Sequence, residues 1–330
     1  MSSAAAPSSA AAPGAATSVA EDVVVELDAV GKRFGARVAV DALSLRIRAG
    51  ECFGLLGPNG AGKTTTLRMI YGVTRPSRGA LRVFGLDAQR ERRAIRARLG
   101  VTLQENVLIE TLSAEENLRV FGRYHLLREP ALSQRVDELM GFLELRSHAG
   151  LAVRHLSGGY QRRVAIGLSL MGSPELLILD EPTTGLDPAV RLALWARVRR
   201  LRASGTTVLL TTHYMDEAER LCDRVAILSH GRAVAEGAPR ALIERELARE
   251  VVELETSADE AARFERDAPG VRASLRVESR SMLFADDAAA VAEWLRAHDG
   301  GDRRPLVVRP ANLEDVFLRV TGTTLEADAE

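Results

Sequence analysis

The segment GPNGAGKTT, residues 57–65, constrains the fold of this chain more than any other feature. It matches G-x-x-x-x-G-K-[ST], follows the short apolar run ECFGLL and precedes the helical pattern TTTLRMIYG, which is the context that the motif requires. In such a loop the backbone N–H groups wrap phosphate oxygens, and the following helix adds the positive end of its dipole. The chain is therefore predicted to hold phosphate between a buried strand and a helix.

Two side chains of this loop have predicted roles. Lys63 bridges phosphate oxygens, and the Thr64 hydroxyl can hold Mg²⁺. Only two of the 44 basic residues are lysines, Lys32 and Lys63, so a lysine at this position by chance is improbable. A compact ammonium also fits where a planar guanidinium does not. A glycine-rich turn without a ligand is the disfavoured alternative.

Composition and charge limit the class of protein. Of the 330 residues 46% are hydrophobic and 27% are charged, which is ordinary for a globular chain with room for one large and one small domain. The net charge of -1 argues against a nucleic-acid partner. Formal charge is about +7 over residues 1–240 and about -8 over 241–330. A separate C-terminal module and a solvated acidic surface explain this asymmetry equally well.

Three further features bear on location. Residues 1–20 are rich in Ala, Ser, Pro and Gly, without a basic start or an apolar core, which predicts a disordered tail rather than a signal peptide. No run approaches the roughly 18 apolar residues of a membrane span. Cys52 and Cys222 lie far apart in apolar segments, which favours buried free thiols over a disulfide or a metal site. These features predict a cytosolic protein that can dock on a membrane component.

The arrangement of apolar runs indicates two parts. Through residues 21–240 buried strand candidates alternate with helical patterns, which predicts a mostly parallel sheet with helices packed on it. The first two strand candidates, at 22–28 and 42–48, instead alternate like half-buried strands. From about residue 240 short strands and helices follow, which suits a small α+β module over 241–330.

Two helices are predicted between the phosphate loop and the next motif, at 114–127 and 131–143. The first follows Ser113, and Glu116 stands three residues later. This spacing predicts a capping box, in which each side chain accepts a hydrogen bond from the backbone of the other residue.

Polar side chains follow the apolar strands at their carboxyl ends. LLILDEP contains Asp180 and Glu181, at the sheet edge where ligands of open α/β sheets bind. Asp180 can reach Mg²⁺, and Glu181 can act as general base toward an attacking water. His213 ends TVLLTTH and Gln104 ends GVTLQ in the same topological position; a structural histidine and a simple helix cap or turn are the alternatives. Together with the phosphate loop, the paired acids predict an NTPase.

The segment LSGGYQRRVAIGLSL, residues 156–170, has the features of a second anion site. Ser157 is a predicted N-cap, and two glycines with exposed N–H groups precede a helix dipole. An ordinary capped helix is the alternative for this segment alone. Arg162 and Arg163 are expected on the solvated or partner-facing side of that helix.

The order of these motifs resembles the ATP-binding cassette family over about residues 22–237. The resemblance implies a P-loop NTPase cassette with a mostly parallel sheet and helices, an antiparallel β part and a helical subdomain at about 105–172. A small C-terminal α+β domain, residues 241–330, would follow in an accessory or regulatory role. ATP and Mg²⁺ are the implied cofactors.

The resemblance also implies roles for individual residues. Phe34 in KRFG stacks on adenine; tyrosine is commoner at this position, and phenylalanine keeps the stacking. Ser157, Gly158 and Gly159 form the signature of the family. Tyr160 replaces the glutamine that usually follows, which leaves the Ser-Gly-Gly chemistry intact. The implied catalytic residues are Glu181, His213 and Gln104, and the implied Mg²⁺ ligands are Thr64, Gln104 and Asp180. The other implied nucleotide contacts are Gly57, Asn59, Gly60, Ala61, Gly62, Lys63, Thr64, Thr65, Ser157, Gly158, Gly159 and Asp187.

Longer stretches, among them ENLRVFGRYH, TTHYMDEAERLCDRVAIL and RPANLEDVFLRVTG, are similar to the NodI and daunorubicin-type exporter ATPases. The resemblance implies a subunit that forms a homodimer, or pairs with another cassette, around two ATP. It would drive export of a drug, lipid or lipo-oligosaccharide through a separate multi-span permease, docked between Gln104 and about Tyr124 on the cytoplasmic side of the membrane. The alternative is a soluble cassette ATPase that acts on ribosomes or DNA, which the near-neutral charge and the single cassette disfavour.

Overall fold

The computed structural model describes residues 23–298 and 306–322. The predicted disordered tail, residues 1–20, lies outside the described residues. In chain order the strands are β1 (Val23–Phe34), β2 (Arg37–Arg48), β3 (Cys52–Leu56), β4 (Arg78–Val83), β5 (Leu86–Asp87), β6 (Leu99–Thr102), β7 (Leu176–Asp180), β8 (Thr207–Thr212), β9 (Arg224–Ser229), β10 (Arg232–Gly237), β11 (Glu250–Glu255), β12 (Val271–Val277), β13 (Arg280–Ala285) and β14 (Val307–Pro310). The helices are α1 (Lys63–Ile70), α2 (Arg92–Arg96), α3 (Ala114–Tyr124), α4 (Ala131–Phe142), α5 (Gly158–Leu170), α6 (Pro188–Ala203), α7 (Met215–Leu221), α8 (Pro239–Glu246), α9 (Ala258–Asp267), α10 (Ala288–His298) and α11 (Leu313–Thr321), with single 3₁₀ turns at Arg146–His148 and Val153–His155.

A six-stranded sheet in the order β10-β9-β3-β8-β7-β6 forms the centre of the cassette. All its described pairs are parallel except β9 with β10. Strands β3, β7 and β8 are buried at every position, which explains why their sequences are continuous apolar runs. The predicted mostly parallel sheet is confirmed, and the segments that follow β3, β6, β7 and β8 meet at its carboxyl edge.

A second, antiparallel sheet in the order β2-β1-β4-β5 packs beside the first. Strands β1 and β2 have 12 residues each and are much longer than the predicted strands at 22–28 and 42–48. Register shifts between the two strands, for example between Leu27 and Val30, interrupt the in-and-out alternation. The period-two pattern therefore stops before the strand does. The extra length carries Phe34, the last residue of β1, to the phosphate loop.

Helices α3, α4 and α5 pack on one another, and α5 also packs on β6. The predicted capping box of α3 is confirmed: Ser113 Oγ accepts a hydrogen bond from Glu116 N, and Glu116 Oε2 accepts one from Ser113 N. Fully buried Leu118 and Val164 join the helices in one apolar core. The beginning of α5 remains at the surface, where Ser157 and Gly158 are exposed.

The C-terminal part contains an antiparallel sheet in the order β12-β13-β11-β14. The stretch VRASLRVESRSMLFA forms two strands of it, because the chain turns at Glu278, which has a φ of +55°. One face packs on α9 and α10 around Phe264 and Leu283. The other face shares a core with the cassette, in which Phe284 and Phe317 are buried. Helix α8 runs across residue 240, so the polypeptide passes from one part to the other inside a helix.

Two smaller findings complete the fold. Among residues 23–298 and 306–322 no helix is both long enough and apolar enough to cross a membrane. Cys52 and Cys222 are buried free thiols, as predicted, and burial raises the pKa of Cys222 well above its ordinary value.

Candidate functional site

The phosphate loop joins β3 to α1 at the carboxyl edge of the central sheet. Gly62, immediately before α1, has a φ of +102°, and a Cβ there would lie 2.6 Å from the Ala39 carbonyl oxygen. Gly57 has a φ of +151°, and its Cβ would lie 2.5 Å from the Leu228 carbonyl oxygen. Both positions require glycine for conformation and for space. The loop backbone is therefore free to approach a phosphate group closely.

Lys63 is the first residue of α1 and is buried, with 6% of its surface exposed. Its Nζ donates hydrogen bonds to the carbonyl oxygens of Gly57, at 2.6 Å, and Pro58, at 3.1 Å. Burial lowers the pKa of Lys63, and the carboxylates of Glu181 and Asp180 act in the opposite direction. The ammonium is thus a desolvated point charge inside the loop, which binds a phosphate oxygen more strongly than a hydrated one does.

A cavity of about 370 Å³ lies over this loop. Phe34, which is 52% exposed, forms part of the wall, and Lys32 Nζ lies 4.7 Å from the centre of its ring. An exposed aromatic face beside a phosphate loop suits a nucleotide, because the base stacks while the phosphates bind the loop. The rest of the lining is Arg37, Ala39, Pro58, Asn59, Gly60, Ala61, Gly62, Lys63, Thr64, Thr65, Gln104 and Glu181.

Asp180 ends β7 and is 4% exposed. The hydroxyl of Thr211, on the neighbouring strand β8, donates a 2.5 Å hydrogen bond to its Oδ1. Burial raises the pKa of Asp180, and the hydrogen bond from Thr211 offsets part of that rise. The chain's own donors therefore compensate this buried carboxylate only in part, and a cation at the site would stabilise its ionised form.

Glu181, directly after β7, is contacted by two side chains that the sequence predicted, those of Gln104 and His213, and by one that it did not, that of Thr184. Its Oε2 accepts hydrogen bonds from Gln104 Nε2, at 3.3 Å, and from the Thr184 hydroxyl, at 3.2 Å. The Nδ1 of His213 lies 3.5 Å from the same oxygen. Glu181 also has a φ of +46°, an uncommon backbone conformation for a residue other than glycine that is found at functional sites.

These contacts determine the charge of Glu181. The hydrogen bond with His213 lowers its pKa, burial acts against this, and Lys63 and Thr184 lower it further. The carboxylate is therefore ionised at neutral pH and able to accept a proton. It is held from three sides beside the phosphate loop, an arrangement that a general base for an attacking water would require.

The glycine pair that begins α5 is separate from this cavity. Of the described lining residues none belongs to Ser157–Gly159 or to Asp187. Ser157 occupies the N-cap position of α5, but its side chain makes no capping hydrogen bond with the described backbone. Asp187 occupies the N-cap position of α6 in the same exposed way. These residues face outward with unused hydrogen-bonding groups.

The expected position of Arg162 is wrong. It is 5% exposed and lies in the interior, whereas Arg163 is half-buried and its guanidinium lies 5.0 Å from the ring of Tyr160. Helical spacing alone did not predict this, because the loops that Arg162 reaches come from distant parts of the chain. The Arg162 guanidinium donates to the backbone oxygens of Leu103, Gln104, Asp180, Glu181 and Pro182 and to Oδ1 of Asn106.

Sequence reasoning also missed Thr184 and Thr211, which hold the two carboxylates. Both lie within two residues of a predicted site residue or motif, in DEPTTG and TVLLTTH. A hydroxyl at the carboxyl end of a strand, as in Thr211, or in the loop that follows one, as in Thr184, is the signal that would have identified them.

Two family models match the chain. One, described as ABC transporter, matches residues 40–184. The other, described as nodulation factor export protein NodI, C-terminal domain, matches residues 241–322. The first match lies within the cassette and ends soon after β7, and the second covers the C-terminal sheet with its helices.

Curated relatives cover nearly the whole chain. A Nod factor export ATP-binding protein I of Sinorhizobium fredii is 44% identical over 307 residues, which are 92% of this chain and 88% of the relative. The protein of the same name from Paraburkholderia xenovorans is 45% identical over 305 residues, 92% of this chain and 99% of the relative. These lengths show that the similarity includes the C-terminal part.

Solved structures match the cassette. An ATP-binding subunit of an ABC transporter has a TM-score of 0.62 at 31% identity and covers 67% of this chain and 92% of its own. A dimeric ATP-binding cassette in a post-hydrolysis state with ADP and Pi has a TM-score of 0.60 at 28% identity and covers 65% and 98%. With its phosphate loop, its paired acids and its exposed Ser157 and Gly158 at the start of α5, the chain belongs to the ATP-binding cassette family of ABC transporter ATPases.

Proposed function

We propose that this chain is the ATP-hydrolysing subunit of an exporter and drives a drug, lipid or lipo-oligosaccharide through a separate membrane permease. The observation that carries the proposal is the similarity, over 92% of the chain, to proteins named Nod factor export ATP-binding protein I. The match of residues 241–322 to the NodI C-terminal domain supports the same group, because this segment lies outside the part that all cassettes share. Docking on the permease would hold the chain at the cytoplasmic face of the membrane.

ATP is proposed to bind in the 370 Å³ cavity, with its adenine on Phe34 and its β- and γ-phosphates in the loop beside Lys63. The exposed ring and the desolvated ammonium support this placement. The other proposed contacts that line the cavity are Asn59, Gly60, Ala61, Gly62, Thr64 and Thr65. Gly57, at the start of the same loop, is a further proposed contact.

Mg²⁺ fits the donors at this edge of the sheet. Thr64 and Gln104 line the cavity, and the buried Asp180 carboxylate, with its raised pKa, is incompletely compensated by protein donors. Hydroxyl, amide and carboxylate oxygens are ligands that Mg²⁺ prefers. Thr64, Gln104 and Asp180 would therefore hold the ion, which when bound neutralises charge on the β- and γ-phosphates.

The protein's own groups would then direct the attacking water. Glu181 is ionised and accepts the proton of the water at its carboxylate. Gln104, Thr184 and His213 keep that carboxylate in one position, so that less orientation has to be acquired in the transition state.

We propose further that two copies enclose two ATP molecules. Ser157 and Gly158 are exposed at the start of α5, with backbone N–H groups and the helix dipole directed outward. Such a helix start binds an anion, and the γ-phosphate held by the loop of a second copy is the anion available to it. Asp187 would lie in the same interface. A paired cassette of another sequence could take the place of the second copy.

Gly158→Asp tests this dimer. A Cβ at Gly158 would meet no atom of the described chain within 4 Å, so the variant should fold. Its carboxylate would repel the γ-phosphate of the partner's ATP. We expect monomeric ATP affinity within about twofold of wild type and loss of the ATP-dependent dimer in light scattering, with Gly150→Asp, another open position, as control. A Gly158→Asp protein that still dimerises with ATP would contradict the enclosed-ATP arrangement.

The permease is proposed to dock beside the segment that follows β6. A groove of about 200 Å³ there is lined mostly by apolar side chains, among them Leu103, Val107, Phe121 and Leu168, and also by polar groups such as Glu105 and His125. Val107 is 66% exposed and Leu103 is 38% exposed. The groove adjoins Gln104 in sequence, so a partner seated in it would be close to the γ-phosphate side of the site.

The described residues of the C-terminal part do not line this groove. A cavity of about 910 Å³ lies between the C-terminal part and His213, which suits a regulatory role for residues 241–330.

The exporter proposal predicts that a multi-span membrane protein is encoded beside this chain, and it is tested by co-expression of the two. We expect the two to co-purify in detergent and the permease to stimulate ATP hydrolysis. Val107→Glu should weaken co-purification at least tenfold without changing ATP affinity, because it places a charge in the apolar groove. Val234→Glu, at an exposed valine of β10, is the control. Sedimentation of the chain with ribosomes, and no such membrane neighbour, would refute the exporter function.

A further inference from the structure

Arg162 joins the two parts of the chain that the proposed dimer assigns to different ATP molecules. It lies on α5, five residues after Ser157, and its guanidinium contacts the loops that follow β6 and β7. Nη1 donates to the Gln104 carbonyl oxygen at 3.3 Å and to Asn106 Oδ1 at 3.1 Å. Nη2 donates to the Asp180 carbonyl oxygen at 2.8 Å. One guanidinium therefore holds the start of α5 and the loops after β6 and β7 together.

The hydrogen bonds from Arg162 to the residues that follow β7 hold the backbone of Glu181 in place. Nη2 also donates to the Glu181 carbonyl oxygen at 3.1 Å, and Nε donates to that of Pro182 at 2.9 Å. Glu181 has a left-handed backbone, which persists only where its surroundings hold it. The planar fork of arginine bonds several carbonyl oxygens at once, which a lysine ammonium on its flexible stem does not reproduce.

We propose that Arg162 is a positioning residue that couples the two ATP sites: contact of Ser157 and Gly158 with the partner's ATP is transmitted through it to Gln104 and Glu181 at the ATP of its own subunit. The inference rests on the proposed dimer. It explains why the second anion site and the phosphate loop are far apart in sequence and yet are linked within one subunit.

Burial makes this link rigid. Arg162 is 5% exposed, and desolvation lowers its pKa to about 10, while Asp180, Glu217 and Glu181 act in the opposite direction. The guanidinium therefore remains charged at neutral pH in an interior that favours strong, directional hydrogen bonds. A movement of α5 cannot leave the carbonyl oxygens behind without exposing buried unsatisfied groups. The helix and the two loops consequently move as one unit.

Coupled sites have a kinetic signature that local stability does not produce. In wild type, ATP hydrolysis should rise with ATP concentration with a Hill coefficient above 1, because each site completes the other. Arg162→Gln should lower kcat at least tenfold and bring the Hill coefficient to 1, while the ATP affinity of the monomer stays within threefold. Arg162→Lys should keep the charge but lose the fork, and it should give an intermediate kcat and a Hill coefficient near 1.

Arg197→Gln is the matched control for the loss of a buried arginine. Arg197 is 4% exposed and donates to the carbonyl oxygens of Phe142 and Ala193, away from both catalytic loops. We expect it to lower the melting temperature while preserving the Hill coefficient. If Arg162→Gln does not fold, the Hill coefficient of Arg162→Lys tests the coupling.

The outcomes separate this inference from the proposed dimer. An Arg162→Lys or Arg162→Gln protein with the wild-type Hill coefficient would overturn the coupling. So would a wild-type Hill coefficient of 1 in a protein that forms the ATP-dependent dimer. If wild type forms no such dimer, the proposed function fails first.

Discussion

Glu181→Gln is expected to lower ATP hydrolysis by about 10²- to 10⁴-fold while ATP still binds, because general-base catalysis contributes on this scale. The substitution keeps the size of the side chain and its contacts with Gln104 and Thr184, but it removes the charge that accepts the proton. It also removes a negative charge beside the γ-phosphate, which favours the closed state. The variant should therefore accumulate as an ATP-bound dimer, visible by size-exclusion chromatography with ATP and Mg²⁺.

Glu138→Gln is the control for this change. Glu138 is an exposed glutamate on α4 that pairs with Arg135, away from the cavity. Its replacement should leave hydrolysis and dimerisation at wild-type values. A Glu181→Gln protein that hydrolyses ATP at the wild-type rate would exclude Glu181 as the base, and one that fails to bind ATP would show that the carboxylate serves the structure instead.

The central sheet and the polar residues at its carboxyl edge were predictable because each depends on local sequence. A fully buried strand such as β7 reads as an unbroken apolar run, and the residues that follow it project from the carboxyl edge whatever the rest of the fold does. Asp180, Glu181 and His213 could therefore be chosen before the strand order was known. The glycine loop was predictable for a similar reason, since Gly57 and Gly62 have conformations that few other residues adopt.

Arg162 shows what local sequence could not give. Its partners lie on loops about 18 and 59 positions away, and they come together only because β6 and β7 are neighbours in the sheet. Arginine is rarely buried unless it is paired, so both neighbours were expected to face solvent or a partner. The burial of one, with the other on a different side of the helix, follows from the packing of α5 against β6. The hydrogen bonds of Arg162 to distant loops thus outweigh the general preference of arginine for solvent.

The predicted length of β1 was wrong for a different reason. β1 continues to Phe34, but its bulges shift the side chains from one face to the other, so the alternation that identifies a strand is lost after Asp28. The residue that closes the nucleotide cavity lies beyond that point. Its role was inferred from the family resemblance, whereas its position depends on bulges that no periodicity reveals.

Lys63→Ala is expected to abolish measurable hydrolysis and to weaken ATP binding by roughly 10- to 100-fold, because a hydrogen bond to a charged group contributes about 1.5–3 kcal/mol. The effect has two sources. The β- and γ-phosphates lose their nearest cation, and the carbonyl oxygens of Gly57 and Pro58 lose their donor. Binding is measured with a fluorescent ATP analogue, and unfolding by thermal denaturation shows whether the loop itself has been destabilised.

Arg68→Ala separates the local effect from the loss of a positive charge. Arg68 is exposed on the same helix, α1, and does not line the cavity, so its replacement should leave ATP affinity within about twofold of wild type.

Comparing the ATP affinities of Lys63→Ala and Glu181→Gln is the stronger test. Both variants should stop turnover, but Lys63→Ala should do so by losing the nucleotide and Glu181→Gln by retaining it. Equal ATP affinities in the two would refute the division of the site into a binding loop and a catalytic carboxylate.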